Sequence, residues 1–328
     1  MGIVIKGTGS YVPEKILTNK DLEAMVDTND EWISTRTGIK ERHIAAPEQA
    51  TSDLAYQAAL KALESANITA EELDVIIIAT VTPDKFFPNT ACFLQEKLGA
   101  KNAFCFDIEA ACSGLLYSLE IANSLLLANK KYKNALVIGA EKLSCITNWQ
   151  DRNTCVLFGD GAGAVVLGKD DNYDYNSIVA TDLHADGAYT DLLQIPAGGS
   201  RTPQTPETLA QGMQYTHMQG RDVFKLAVAG MVGSSKKVLE DSGVEAAKLT
   251  KFIPHQANMR IIEAVSQRLD VEEEVVYKNI FRYGNTSASS IGLCLDEINR
   301  AGGFKRGDYV LLTAFGSGLT WGAILLKW

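Results

Sequence analysis

Four separated places in the chain carry groups suited to covalent acyl chemistry. Cys112 falls where the strand-like run Phe104, Cys105, Phe106, Ile108 gives way to helical spacing at Leu115, Leu116, Leu119, Ile121 and Ala122. His255 follows the strand-like LTKFIP and precedes a helical stretch. Asn285 lies on the turn Gly284-Asn285-Thr286-Ser287, which opens another helix. Gly316-Ser317-Gly318 follows the strand-like YVLLT and can expose backbone N–H groups. A cysteine at a helix start meets unpaired N–H groups and the positive end of the helix dipole, both of which favour the nucleophilic thiolate. Gly114 lets a substrate or a second backbone approach closely. Each feature also has a plain structural reading. On position alone a small core residue is the stronger reading of Cys112. His255 reads as a satisfied core histidine, Asn285 as a helix cap and the glycines as a turn. Taken together, a thiol, an imidazole and an amide beyond the carboxyl ends of α/β strands point to acyl transfer through a covalent intermediate.

The elements that must position these groups are set by length and pattern. The chain has 328 residues, 46% of them hydrophobic, enough for two domains or one large α/β body. A net charge of -9 argues against nucleic acid as the main partner. The N-terminal MGIVIKGTGSYVP lacks the basic start and apolar core of a signal peptide. No apolar run is expected to reach membrane-spanning length. Cys92, Cys105, Cys112, Cys145, Cys155 and Cys294 are scattered, with no C-x-x-C pair and no Cys/His cluster. Neither zinc nor a disulfide framework is expected, and a reduced, cytoplasmic setting is the simplest reading.

Along the chain, strands are expected at Ile3–Lys6, Asp74–Thr80, Asn134–Gly139, Leu249–Pro254, Tyr309–Thr313 and Trp321–Lys327. Helices are expected at Thr18–Val26, Thr51–Ala66, Thr90–Leu98, Arg221–Glu240 and Ala257–Leu269. Asn153–Leu167 reads as a β-hairpin around a glycine turn, and Val275–Tyr283 as extended. The glycine turns at Gly7–Gly9 and Gly159–Gly163 fail the dinucleotide and phosphate-loop tests, because no helix opens after either. Ile195–Pro206 is a loop or lid. The order of strands and helices repeats, which predicts two duplicated βαβ-type halves, 1–172 and 173–328, packed as one layered α/β body.

The motifs DIEAACSG around Cys112, PHQAN around His255, YGNTSAS around Asn285 and AFGSGLTWG near the C-terminus resemble β-ketoacyl-acyl carrier protein synthase III. The likeness runs the full length and includes DTNDEWISTRTGIKERHIA and FGDGAGA. It implies the thiolase-like fold, with layers α-β-α-β-α, and the initiating condensation of type II fatty acid synthesis. Cys112 would be acylated by a short acyl-CoA, acetyl-CoA for preference. His255 and Asn285 would donate hydrogen bonds to the thioester oxygen of malonyl-acyl carrier protein as it loses CO2. The backbone N–H groups of Cys112 and Ser317 would form the oxyanion hole. The resemblance further implies that Trp32 and Arg152 sandwich the adenine of CoA. Arg36, Thr37, Asn258 and Arg260 would line its path, and Phe224 would flank the tunnel mouth. Phe87 would enter the partner's acyl pocket in a homodimer. Lys225, Arg260 and Arg268 would face the acidic carrier protein, with Gln267 where some relatives carry Lys. No metal or redox cofactor is implied.

Two other readings stand beside this one. A secondary-metabolite condensing or acyl-transferring relative would use the same Cys-His-Asn set, and an inert acyl-binding scaffold would keep it without turnover. A degradative thiolase would bring a second cysteine as base. The starter's length and branching stay open, as does the choice between CoA and carrier protein as acyl donor.

Overall fold

The computed structural model describes residues 2–328. The first half of the chain builds a five-stranded sheet from β1 (Gly2–Tyr11), β2 (Val75–Ala79), β3 (Phe104–Ile108), β4 (Asn134–Glu141) and β5 (Gly161–Asp170), in the order β1-β5-β4-β2-β3. β2 runs parallel to β3 and β4, while β5 is antiparallel to β4 and β1. The second half builds β6 (Ile178–Ala185), β7 (Leu249–Pro254), β8 (Tyr309–Gly316) and β9 (Thr320–Lys327), in the order β6-β9-β8-β7. Here β7 and β8 are parallel and β9 is antiparallel to both neighbours. This repeats the order and directions of β1-β5-β4-β2. The place of β3 is reduced to a single parallel bridge between Phe252 and Val276.

The helices that matter are α1 (Asp30–Thr37), α2 (Thr51–Ala66), α3 (Thr90–Leu98), α4 (Gly114–Ala128), α5 (Gly220–Ser242), α6 (Met259–Leu269) and α7 (Ser290–Arg300). Strand alternation sorts the core into three layers. Val75 and Ile77 of β2 and Val310 and Leu312 of β8 face an inner core with Leu116 and Leu119 of α4 and Ile291 and Leu295 of α7. Ile76 and Ile78 face the opposite way, onto Ala58 and Leu94 of α2 and α3. Leu311 and Leu325 pack against Val228 and Ile262 of α5 and α6. The result is the expected α-β-α-β-α stack. It also explains why the parallel strands read as unbroken apolar runs, since both of their faces are covered.

Helix α4 and its preceding turn, Ala111–Ala128, do reach the length and mean hydropathy (1.3) of a membrane span, contrary to the expectation from sequence. Its apolar surface is met by both sheets. Helix α7 is drawn unusually close to the first sheet. A β-carbon built on Gly163 of β5 would lie 2.5 Å from the carbonyl carbon of Gly292, and one on Gly292 would lie 2.8 Å from Gly163. One on Gly139 of β4 would lie 2.1 Å from the Ala288 carbonyl oxygen.

Three local expectations need correction. Asn153–Phe158 is a run of turns, and only the second arm of the expected hairpin, β5, is a strand. Its backbone is spent elsewhere: Arg42 Nη2 donates to Val156 O at 2.6 Å, Asn285 N–H to Leu157 O at 2.8 Å, and Gly159 N–H to Asn285 O at 3.0 Å. Val275–Tyr283 is extended only around Val276, then coils into a short helix at Ile280–Tyr283. β6, a strand of mixed polarity, has no counterpart in the sequence reading. The helix expected at Thr18–Val26 is shorter, Asn19–Glu23, and keeps its Thr18 cap.

The glycine contacts give a stability prediction. Gly163→Ala and Gly292→Ala should each cost about 1–3 kcal/mol through overpacking. Gly233→Ala, on α5 with nothing within 4 Å of the added carbon, should leave stability unchanged or raise it. Thermal unfolding of the three variants checks this.

Candidate active site

The site forms where the starts of α4 and α7 meet between the sheets. Each helix opens through one turn of 3₁₀ geometry, Ala111–Ser113 before α4 and Ser287–Ser289 before α7, and the two turns pack together. Each turn begins with a non-glycine residue in the left-handed region, Ala111 at φ 45° and Ser287 at φ 49°. Such positions cost about 1–3 kcal/mol and persist only where the surroundings dictate them. The matching geometry is what a duplication leaves behind, with Ala288 at the station of Cys112.

Cys112 is pinned from the second half. Thr320 Oγ1 donates to Ala110 O at 2.9 Å, and Ser113 Oγ donates to Thr320 O at 3.1 Å. A β-carbon on Gly316 would lie 2.7 Å from the Cys112 amide nitrogen, so the backbone entering Ser317 runs directly over that amide. The Ser317 hydroxyl donates to Leu193 O, which anchors the loop.

The thiol is not poised as a thiolate. Burial pushes Cys112 up to about 12, and the negative charges of Glu141 and Glu109 act the same way. Hydrogen bonds from the Ser287 side chain and from the cysteine's own N–H oppose this without reversing it. Desolvation therefore outweighs the helix-start effect on which the sequence expectation rested. Cys112 as a whole residue is half-buried.

His255 is 1% exposed. Its N–H donates to Thr313 O at 2.8 Å, which fixes the backbone at the end of β7. Ser290 Oγ sits 2.7 Å from Nδ1 and also accepts the Gln256 N–H at 3.5 Å. The serine hydroxyl is thus free to donate to Nδ1, which leaves the proton on Nε2. Nε2 is buried with no hydrogen-bond partner among the described residues, a group waiting for an acceptor. Burial lowers the imidazole to about 3, so it is neutral at pH 7. Asn285 is fixed in the same sense. Its Oδ1 accepts the Ser287 N–H at 2.9 Å, which leaves the Nδ2 amide as the donating face.

Two of the three residues that sequence reasoning passed over lie inside or beside the quoted YGNTSAS motif: Ser287, on the turn packed against that of Cys112, and Ser290, hydrogen-bonded to His255. The third is Glu141, fully buried at the end of β4, where burial raises its carboxyl to about 7. Its signal was an acid closing a buried strand, two residues past the expected end at Gly139.

Further out, the structure gathers most of the residues expected to hold CoA. Gly38, which caps α1, lies against Met259 of α6, so Trp32 and Arg36 share a surface with Asn258 and Arg260. The Arg36 guanidinium lies 4.7 Å from the Trp32 ring centroid and that of Arg152 5.2 Å. Arg152 is too near to admit a planar base between itself and the indole, so that clamp is shut and opens only if Arg152 swings away. Arg152 Nη1 meanwhile donates to Asp27 O at 2.9 Å. Arg260 Nη2 donates to Thr35 O at 3.3 Å, and Phe224 packs half-buried on the same outer core as Trp32. Thr37 does not fit the expectation. It is buried, its hydroxyl donates to Ile33 O at 2.7 Å and it accepts the Ile39 N–H at 3.0 Å, so it holds the helix end rather than facing a ligand. Lys225 is exposed and ion-paired with Asp222 at 3.7 Å, and Arg268 is exposed. Phe87 and its neighbour Phe86 are 86% and 88% exposed. Among the described residues no cluster of metal-ligating side chains occurs. A buried thiol, two fixed neutral donors and a backbone cradle can form a thioester and stabilise an oxyanion beside it.

The opposed shifts of His255 and Glu141 predict a pH signature. The unfolded chain protonates His255 near 6.5 and the folded protein only near 3, so this group's stability is complete above 6.5 and lost as pH falls. Glu141 holds its proton to about 7 when folded and loses it near 4.5 when unfolded, so its contribution is complete below 4.5 and lost as pH rises. Between 4.5 and 6.5 the two slopes oppose each other. Glu141→Gln should uncover a loss of stability on acidification there, and His255→Gln a loss on alkalinisation. Unfolding midpoints against pH check both signs.

Comparison with known proteins follows the same lines. Residues 106–187 match the family model 3-oxoacyl-[acyl-carrier-protein (ACP)] synthase III, and residues 239–328 match that of its C-terminal part. A β-ketoacyl-[acyl-carrier-protein] synthase III of Caldanaerobacter subterraneus is 55% identical over 325 residues, covering 99% of this chain and 97% of that protein. The crystal structure of 3-oxoacyl-[acyl-carrier-protein] synthase III from Aquifex aeolicus superposes with a TM-score of 0.91 at 50% identity, with both chains fully covered. A priming β-ketosynthase from the R1128 polyketide pathway has the same TM-score at 33% identity, over 99% of this chain and 96% of that one.

Proposed function

The chain belongs to the β-ketoacyl-acyl carrier protein synthase III family, acyltransferases that carry out the initiating condensation of fatty acid synthesis, and we propose that it does so through an acyl group on Cys112. The observation that supports this reading is the packing of the Cys112 turn against the turn that follows Asn285, with His255 tied to Ser290 at the start of the same helix. In the first half-reaction the sulfur attacks the carbonyl of a short acyl-CoA, acetyl-CoA for preference. The N–H groups of Cys112 and Ser317 receive the oxyanion, and CoA leaves. In the second, malonyl-acyl carrier protein enters and loses CO2. His255 Nε2–H and the Asn285 amide donate to the thioester oxygen as it becomes an enolate. Neutral donors suit this step, because the negative charge they stabilise exists only in passing. The enolate carbon attacks the acyl-enzyme and releases 3-oxoacyl-acyl carrier protein. No metal or redox cofactor takes part in this scheme.

The surface of Trp32, Arg36, Arg152, Phe224, Asn258 and Arg260 is the proposed CoA site, with Thr37 bracing it from beneath. Lys225, Arg260 and Arg268 supply local positive charge on a chain of net charge -9, and local complementarity governs encounter with an acidic carrier protein more than net charge does. Exposure of Phe87 fits a homodimer in which that ring enters the partner's acyl pocket, in a cytoplasmic setting. We take 1–172 and 173–328 as the duplicated units, although α1 of the first packs on α6 of the second.

Intact mass after mixing with a panel of acyl-CoA thioesters tests the reading. One acyl group should be gained, most readily from short esters, and none by Cys112→Ala. His255→Ala and Asn285→Ala should still take up the acyl group but lose roughly 100- to 1000-fold in condensation. No gain with any CoA ester, or an undiminished gain in Cys112→Ala, would sink it.

A further inference from the structure

Glu141 is the buried titratable group that this scheme leaves without a task. It is 0% exposed and makes no ion pair among the described residues. A carboxylate in that position is costly and is kept where its charge has a use. Its anchoring is one-sided. Oε2 accepts Thr82 Oγ1 at 2.7 Å, Thr80 Oγ1 at 3.1 Å and the Val81 N–H at 3.1 Å. All three come from the loop after β2. On its other side lies the turn of Ser287, whose side chain acts to lower the pKa of both Glu141 and Cys112 and so stands close to each. Ser287 has one hydroxyl proton and two acceptors. The turn that carries it packs against both the Cys112 turn and β4.

We propose that Glu141, acting through the Ser287 hydroxyl, receives the Cys112 thiol proton as the sulfur attacks the acyl thioester. The Cys112 S–H bond breaks as its proton passes to Ser287 Oγ, and the proton Ser287 already carries passes to a Glu141 oxygen. The sulfur electron pair forms the bond to the carbonyl carbon. When the tetrahedral adduct collapses, the bond from carbon to the CoA sulfur breaks, and the proton returns through Ser287 to the departing sulfur. Glu141 is a carboxylate again at the end of the half-reaction. The inference rests on Cys112 as the acyl acceptor and adds the base that the site otherwise lacks. His255 is a poor candidate, since burial makes its protonated form unfavourable.

The electrostatics agree. Glu141 is raised to about 7, the range in which a buried carboxylate serves as a base at neutral pH. The charged and titratable groups around it are few. Cys112 faces it across Ser287, and Cys145 senses its charge from the turn after β4. Glu109 lies exposed beyond Cys112. The neighbouring Lys142 turns its Nζ away to the carbonyls of Ala46 at 3.0 Å and Pro47 at 3.2 Å. None of these supplies a cation that would hold Glu141 ionised.

The test separates the two half-reactions in the full-length protein. Acylation by acetyl-CoA is followed by rapid quench and intact mass across the neutral pH range. CO2 release from malonyl-acyl carrier protein, which removes no thiol proton, is followed alongside. Wild-type acylation should rise through an inflection near 7 and level off. Glu141→Gln and Ser287→Ala should acylate about 100-fold more slowly or worse above the inflection, and lose it. Glu141→Asp should keep the inflection at reduced rate, and CO2 release should change little in all three. An inflection that survives in Glu141→Gln would overturn the relay. So would acylation and CO2 release falling together in Glu141→Gln and Ser287→Ala, which is the mark of a structural role. Wild-type protein that takes up no acyl group at all would instead overturn the assignment of Cys112.

Discussion

The contact between the Cys112 turn and the Ser287 turn is the constraint on which the rest of the molecule depends. Each half delivers a helix start to the central layer, and chemistry becomes possible only where the two touch. Side chains at the crossing points would hold them apart, so glycine stands at Gly139 and Gly316, where any β-carbon would strike the opposing backbone. Gly163 and Gly292 do the same service one turn further along α7. The left-handed Ala111 and Ser287 are strained for their residue types, and the packing of two sheets on two helices is what holds them there.

Placing the site inside a five-layer body decides its electrostatics. Water is excluded from the thiol and the imidazole alike, so the charged form of each is disfavoured: Cys112 rises to about 12 and His255 falls to about 3. The resting site is neutral at the nucleophile and at the donors. Oxyanions, enolate and departing thiolate then arise among fixed dipoles that need no reorganisation. Glu141 is the exception, close to half-ionised at neutrality. The outer surface follows another logic, with solvated arginines and lysines around an indole and little buried charge.

Much of the architecture was legible in the sequence because it is written in short-range pattern. Apolar runs bounded by turns located β2, β4, β7 and β8, and helical periodicity located α2, α3, α5 and α6. The failures share one cause. Asn153–Phe158 has the composition of a strand, but Arg42 and Asn285, remote in sequence, take its backbone groups. β6 pairs only with β9 and carries polar residues on its open side, so its alternation is blurred. The span-like hydropathy of α4 reflects a helix enclosed by two sheets rather than by lipid.

For the site, the sequence by itself determined which groups are present and that each stands at an element boundary, because the types at Cys112, His255, Asn285 and Gly316–Gly318 are local facts. The motif resemblance supplied their roles. Only the tertiary structure decided their protonation and hydrogen-bond partners. The sequence argument favoured a thiolate from the helix start, but the competing term, loss of water around the sulfur, depends on two sheets closing over it. Thr37 looked open to a ligand and is turned inward by its own helix. Glu141 lay beyond the expected end of its strand and drew no reading, yet it lies beside the Ser287 turn that packs on the nucleophile. Desolvation and side-chain direction are properties of the assembled layers, and no window of sequence contains the layers that impose them.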